Sequence, residues 1–283
     1  MIVRVPEAAG VDIWAVAGDG RRLAGTGSGT LDVPDGAVLE VRGRRRRQAR
    51  LAWLAELDVP VVSVDVQRSE VAAFDLMAVA SIPHLAVLTA AGAGIDGPTV
   101  AAIARAPSLA VLQLAAPNLR RGDLLALRTA LRLRQVRLDV PHVPPEEVVE
   151  AVGERSLVAF GMSQPRLTAL LLDRVLALWP LRELSVAVQY VDSATMSALR
   201  RLSGLRQLAI DGGWTELTAW DVTALVTGLP ELAEFDLSES GRQVSPDLLI
   251  GAWWVRPGLR INGLAMDAAS TGRFVERWRL GEA

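Results

Sequence analysis

Leucine returns along this chain at a fixed interval. The segments LAVLTAAGAGIDGPTVAAIARAPS at Leu85 and LAVLQLAAPNLRRGDLLALRTALR at Leu109 share one pattern, and further copies open at Leu133, Leu157, Leu181 and Leu205. The step is 24 residues from Leu85 through Leu205, then 27 to Leu232 and 27 to Leu259, and VVSVDV at Val61 fits as an earlier copy. Within each repeat the first, fourth and sixth positions are apolar: Leu109, Leu112, Leu114; Leu133, Val136, Leu138; Leu181, Leu184, Val186. Residues two apart share one face of a strand, so the fourth and sixth positions predict a short strand with one buried face. An apolar eleventh position follows at Ile95, Leu119, Val143, Leu167 and Val191. The second half of each repeat then changes to helical spacing, as in Leu124, Leu127, Leu131 and Met196, Leu199, Leu202. Helix starts are signalled by Gly97-Pro98-Thr99, Pro144-Pro145-Glu146-Glu147, Asp192-Ser193 and Ser245-Pro246-Asp247. Each repeat therefore reads as strand, turn and helix. It is too small to bury its apolar face alone, and stacked copies share a continuous core.

The L-x-x-L-x-L spacing followed by a helix resembles the leucine-rich-repeat family, in its bacterial-type, ribonuclease-inhibitor-like form with convex helices. The resemblance covers roughly residues 61–267. It implies an α/β fold, a curved right-handed solenoid with a parallel sheet on the concave face and helices on the convex one. The chain departs from the family at the ninth position, usually Asn, which here is Ala93, Pro117, Pro141, Pro165, Gln189 or Gly213. Proline has no N–H, so these turns must satisfy their carbonyls differently, and strand length stays open.

Residues 1–43 do not follow the period. VDIWAVAGDGRRLAG and LDVPDGAVLEVRG alternate around Asp19-Gly20 and Asp35-Gly36, hairpin signals that predict a small β-rich cap. The cluster GTGSGT from Gly25 to Thr30 reads as a hairpin loop. RRRRQARLAWLAELD, residues 44 to 58, predicts a capping helix within 44–60 with Leu51, Trp53 and Leu54 turned inward. STGRFVERWRL, from Ser270, predicts a closing helix within 268–283 that lays Phe274 and Trp278 on the last repeat. Trp179, Met196 and Phe235 fall on core positions.

Composition narrows the setting. Hydrophobic residues make up 51% of the chain, which argues for an extended core and against disorder. A formal charge of −2 gives no global field toward nucleic acid or membrane. All 30 basic residues are arginines, which with the abundant Ala, Leu and Val points to a GC-rich genome. Zero cysteines exclude disulfide and thiolate chemistry and fit a reducing compartment. The first residues carry Glu7 and Asp12 and no apolar stretch of signal-peptide type, so a cytoplasmic location is expected. The uncharged span Leu76 to Ile95 is long enough for a bilayer, but Pro83 and His84 interrupt it and the repeat divides it.

One stretch suggests nucleotide chemistry. Gly92, Gly94 and Gly97 stand in G-x-G-x-x-G spacing between an apolar run and a helix start. The equivalent turns APNLRR, PHVPPE and PRLT carry no such glycines, and the next strand VLQLAAP lacks the acid that a dinucleotide fold places there. The stretch reads as a repeat turn, with a nucleotide-binding protein or enzyme as the alternative. No lysine exists to complete a P-loop. The two histidines, His84 and His142, lie 58 residues apart in predicted turns. No metal, cofactor or catalytic residue is therefore assigned.

Strand positions three, five and seven face outward, with the second partly exposed. In the early repeats they are bland: Val87, Thr89, Ala91, then Val111, Gln113, Ala115. Charge enters with Arg134, Arg137 and Asp139, and returns with Arg182, Glu183, Arg206, Asp211, Glu234 and Asp236. Mixed charge on a rigid sheet suits a protein partner better than a phosphate backbone, which favours uniform arginine. The extra residues of the longer repeats fall in the turns DGGWTEL and SESGRQVS, where Trp214 is either an interface anchor or packed back on Trp220. These residues together predict a non-enzymatic scaffold or adaptor that binds another protein. A structural homo-oligomer is a second alternative. The run Arg44 to Arg47 is either a solvated face or a contact for nucleic acid or an acidic protein.

Overall fold

The computed structural model describes residues 2–7, 9–18, 20–26, 28–153, 156–178, 180–214, 217–239, 242–243 and 246–265. The closing helix expected within 268–283, with Phe274 and Trp278, and the core position Trp179 lie outside these residues. The chain forms two compact units, Met1–Arg155 and Ser156–Ala283, so the division falls inside the repeat region.

The first unit begins with β1 (Ile2–Val5), β2 (Val11–Ala17), β3 (Gly20–Thr26), β4 (Gly29–Asp32) and β5 (Val38–Gly43). Next come β6 (Gln48–Ala49), a 3-10 turn (Ala52–Glu56), β7 (Val61–Val66), β8 (Glu70–Val71) and α1 (Ala73–Ala80). Then follow β9 (Val87–Ala91), α2 (Gly97–Ala104), β10 (Val111–Ala115), a 3-10 turn (Leu125–Thr129), β11 (Gln135–Asp139) and α3 (Pro145–Val152). Its main sheet runs β3-β2-β5-β7-β9-β10-β11. The β2 strand is antiparallel to β3 and β5, and every later pairing is parallel. Register follows the repeat: Leu88, Leu112 and Val136 sit side by side, as do Ala90, Leu114 and Leu138, and all are buried.

The second unit contains β12 (Ala159–Leu167), α4 (Ala169–Leu178), β13 (Glu183–Val191), α5 (Ser193–Leu199), β14 (Gln207–Trp214) and α6 (Ala219–Gly228). It continues with β15 (Glu234–Glu239), β16 (Arg242–Gln243), α7 (Pro246–Val255), β17 (Arg260–Ile261) and β18 (Leu264–Ala265). Its strands run β12-β13-β14-β15-β17-β18, parallel as far as β17, with β16 folded back on β15. Phe160, Leu184, Leu208 and Phe235 form one buried row, and Met162, Val186, Ile210 and Leu237 the next. Full burial of each such side chain contributes roughly 1.5–3 kcal/mol. The architecture is thus mixed α/β, with a mostly parallel sheet in each unit and no closed barrel among the described residues.

Local signals explain most helix starts. Asp96 caps α2 by accepting from the Thr99 N–H, and Asp192 caps α5 in the same way from Thr195. Thr218 and Asp221 form a reciprocal capping box on α6. The eleventh positions Ile95, Leu119, Val143, Leu167 and Val191 are all buried.

Three expectations are corrected. Residues 44–58 form no α-helix, because Gln48–Ala49 pairs with Glu70–Val71 and the buried Asp75 carboxylate accepts the N–H groups of Leu51 (2.6 Å) and Ala52 (3.0 Å). Leu51 and Leu54 are buried there, whereas Trp53 is half-buried and donates to the Arg50 carbonyl. β2 and β3 pair as a hairpin, but Asp35-Gly36 and the stretch between β3 and β4 join strands of different sheets, since β4 pairs with β1 and buries Val3, Val5 and Leu31. The Leu109 repeat holds a 3-10 turn where a helix was expected, and Leu131 is exposed. No described helix is long and apolar enough to cross a membrane, and Leu76 to Ile95 divides among α1, a turn and β9.

Candidate protein-binding face

In the second unit the open side of the sheet is built by strand alternation. Positions facing the helices are filled by large apolar side chains, and the positions between them are small or polar: Gly161, Ser185, Ala209 and Asp236 in one row, Ala187, Asp211 and Ser238 in the next. Small residues in the middle of a flat sheet leave a hollow. Its volume is about 300 Å³, and its wall includes Ser163, Ser185, Ala209, Asp211, Asp236 and Ser238.

The ends of these strands shape the hollow. Between Met162 and Leu167 the register of β12 shifts against β13, so Ser163 to Arg166 bulge outward opposite Ala187. The bulge presents Arg166, whose Nη2 lies 3.5 Å from Asp211 Oδ2 two strands away. Its side chain therefore spans β13, and the small Ala187 beneath it is only 3% exposed. Asp211 also accepts from the Ser238 hydroxyl at 2.8 Å. Asp236 is exposed and makes no hydrogen bond or ion pair among the described residues. Strand spacing and rise place its Cα about 8 Å from that of Asp211, diagonally across β14 and β15. A carboxylate held by Arg166 and Ser238 and a free one thus flank a hollow of hydroxyls and methyl groups. That arrangement accepts hydrogen bonds from a cationic or amide-bearing group.

The other sequence-derived candidates scatter. Glu234 is tied to Arg260 at 2.8 Å and Arg206 to Glu231 at 3.3 Å, both exposed pairs on the strand-entry side. Arg182 is exposed just before β13, and Glu183 is half-buried in the row of Gln207 and Glu234. Trp214 does not sit in a loop, because its backbone ends β14 opposite Val191. Its side chain lies outside the described residues. Trp220 is 79% exposed at the start of α6. Arg134, Arg137 and Asp139 belong to the first unit, where Arg137 and Asp139 are exposed on one face of β11 in register with Gln113 and Ala115. Arg166 and the three serines were not among the sequence candidates. Pro165 read as a turn marker there, and only the bulge turns Arg166 onto the sheet.

Two carboxylates stand at the glycine turn of the first unit. The Asp96 carboxylate occupies the α2 N-terminus, accepting both the Thr99 hydroxyl at 2.5 Å and the Thr99 N–H at 2.9 Å. Those bonds, the hydroxyl first, hold its carboxyl below the usual aspartate range. Asp123 approaches as well, with Oδ1 2.6 Å from where a Gly97 Cβ would stand. Neither Gly92 nor Gly94 has a positive φ or a crowded Cβ position. Both histidines are exposed in turns, and no cluster of three or more metal-ligating side chains exists among the described residues.

No family model matches the chain, and no curated protein is similar to it. Among solved structures it is similar to a chain of the crystal structure of the Rad7 and Elc1 complex in yeast. The identity is 15% and the TM-score 0.51, with 79% of this chain and 58% of that chain covered. The likeness is one of fold, and this chain spans little more than half the length of that neighbour.

Proposed function

We propose that this chain is a non-enzymatic, leucine-rich-repeat-like protein of the cytoplasm, its repeats stacked as a solenoid, and that it binds a partner protein through the open sheet face of the second unit. The observation that carries this reading is the hollow at Asp211 and Asp236, a rigid, helix-free surface with a free carboxylate and a ring of hydroxyls. Rigid sheets that present one side chain per strand favour extended protein surfaces, and exposed charge on them sets partner choice and on-rate. The fold neighbour is itself a member of a protein complex, which is consistent with such a role. The two carboxylates at the glycine turn weigh against the nucleotide alternative, since a phosphate there would meet like charge.

The test is affinity capture from source-cell lysate with the parent and an Asp211→Asn/Asp236→Asn variant, followed by reconstitution with the purified captured protein. The expected result is a one-to-one complex weakened about tenfold or more in the variant, the effect of one lost charge-assisted contact. Equal affinity for both chains sinks the reading.

Self-association has one observation of its own. Leu170 and Trp220, both more than 70% exposed, occupy the second position of α4 and α6, on either side of the equivalent Ala194 of α5. A mass that rises with concentration in light scattering, and returns to the monomer on Leu170→Ser/Trp220→Ser, would favour it.

A further inference from the structure

The arginine run of the first unit is not absorbed by that reading, and the structure gives it a form the sequence did not show. Residues Arg44 to Arg47 make a tight turn rather than a helix. Arg47 N–H donates to the Arg44 carbonyl at 3.1 Å, and Arg46 holds a left-handed φ of 57°. The turn is pinned from several sides. Arg46 N–H donates to the Arg68 carbonyl at 2.9 Å, Glu70 N–H to the Arg47 carbonyl at 3.0 Å, and the Ser69 hydroxyl to the Arg44 carbonyl at 3.0 Å. Two glycines permit this approach: a Cβ on Gly10 (φ 67°) would stand 2.1 Å from the Gln48 carbonyl oxygen, and one on Gly43 2.1 Å from the Ser69 hydroxyl.

The result is a rigid corner carrying Arg45, Arg46, Arg47, Arg50 and Arg68, all exposed. None of their guanidiniums makes a hydrogen bond or ion pair among the described residues. Arginines next to the corner or on the same sheet are matched in three cases: Arg44 with Asp12 at 2.8 Å, Arg42 with Asp65 at 3.5 Å and Arg21 with Glu40 at 2.7 Å. Five unmatched cations at one corner are mutually repulsive, and an anion relieves that repulsion.

We infer that this corner binds a short acidic segment of a partner protein, its carboxylates taken by the forks of Arg45, Arg46, Arg47 and Arg68. Guanidinium and carboxylate match in bidentate geometry. The corner spans about 10–15 Å, the length of three to four extended residues. Its border favours a short anion over a long one, because the exposed Glu70 sits at its margin opposite Gln48. A nucleic-acid strand, with a charge every ~3.4 Å, would run onto that carboxylate. This inference stands apart from the face of the second unit and survives if that face binds nothing.

The experiment uses the full chain and three probes: a fluorescent seven-residue peptide of Asp and Glu, its Asn and Gln counterpart, and a single-stranded oligonucleotide of equal charge. The variant is Arg45→Gln/Arg46→Gly/Arg47→Gln/Arg68→Gln, with glycine chosen because position 46 needs a positive φ. Arg45→Gln/Arg47→Gln serves if the fourfold change does not fold, and Arg105→Gln/Arg120→Gln, at exposed arginines elsewhere, is the control. Anisotropy is expected to show the acidic peptide bound, the amide peptide unbound, and affinity at least tenfold weaker in the variant but unchanged in the control. Affinity is also expected to fall as salt rises. Equal binding by parent and variant, no binding of the acidic peptide, or tighter binding of the oligonucleotide would each overturn the inference.

Discussion

Strands β9, β10 and β11 of the first unit stop after five residues, whereas β12, β13 and β14 of the second run for eight or nine. All six open at the same repeat position and bury the same fourth and sixth residues. The difference lies in what satisfies the backbone after the seventh. In the first unit the chain turns, and side chains from neighbouring repeats close the turns. Asn118 Nδ2 donates to the Ala93 carbonyl at 2.8 Å, and both Glu147 oxygens accept the Gly122 N–H at 2.8 Å. In the second unit the ladder continues through bulges, and Pro165, Gln189 and Gly213 become strand residues. Asp211 and Ser238 stand at the seventh repeat position, which the short strands also reach at Ala115 and Asp139. The hollow's carboxylates therefore follow the repeat, and strand length contributes Arg166, carried across β13 to Asp211.

The largest test of this contrast removes a turn-closing carboxylate. Asp75→Ala should destabilise the chain by about 3 kcal/mol, since two buried N–H groups lose their acceptor. Asp75→Asn, which keeps an acceptor oxygen, should lose clearly less in denaturant unfolding. Next in size is a pair of matched glycines at the eighth repeat position. Gly212→Ala places a Cβ 2.7 Å from Val191 Cγ2 and 3.0 Å from the Val188 carbonyl oxygen, and about 2 kcal/mol is the expected loss. Gly92→Ala meets nothing closer than 4.0 Å, so its stability should stay within about 0.5 kcal/mol of the parent or rise. Equal losses at the two glycines would contradict the account of strand ends.

The smallest effect compares helix caps, one in each unit. Hydrogen bonds hold both carboxyls below the ordinary aspartate range: to Asp96 from the Thr99 hydroxyl and then its N–H, and to Asp221 from the Thr218 hydroxyl, then its N–H, and the Ser193 hydroxyl. A lowered native pKa means that the stabilisation is complete above the unfolded aspartate value of about 3.9 and is lost as pH falls through the native one. Asp96→Ala and Asp221→Ala should each cost about 1 kcal/mol at neutral pH. The deficit should shrink toward pH 3, measured by urea unfolding at both pH values.

The strand starts, the register, the eleventh-position residues and several helix starts were legible in the sequence, because each follows from local periodicity or a helix-start signal. Strand ends were not. Pro165 marks a turn in most contexts, yet in β12 it lies within a bulge whose missing N–H costs the ladder little. The helical look of residues 44–58 yielded to long-range bonds from Asp75 and the β6–β8 pairing, which periodicity does not carry. At the site, alternation placed Asp211 and Asp236 on the open face correctly. It could not show that Glu234 and Arg206 were spent on neighbours, or that Arg166 would arrive from two strands away.

Hydrogen–deuterium exchange of the full chain, with and without its purified captured partner, tests the central claim most directly. Protection on binding should concentrate in residues 159–167, 183–191, 207–214 and 234–239, the strands that carry the hollow. Protection that spares those strands and falls on the helices α4 to α7 would contradict the assignment of the partner to the open sheet face.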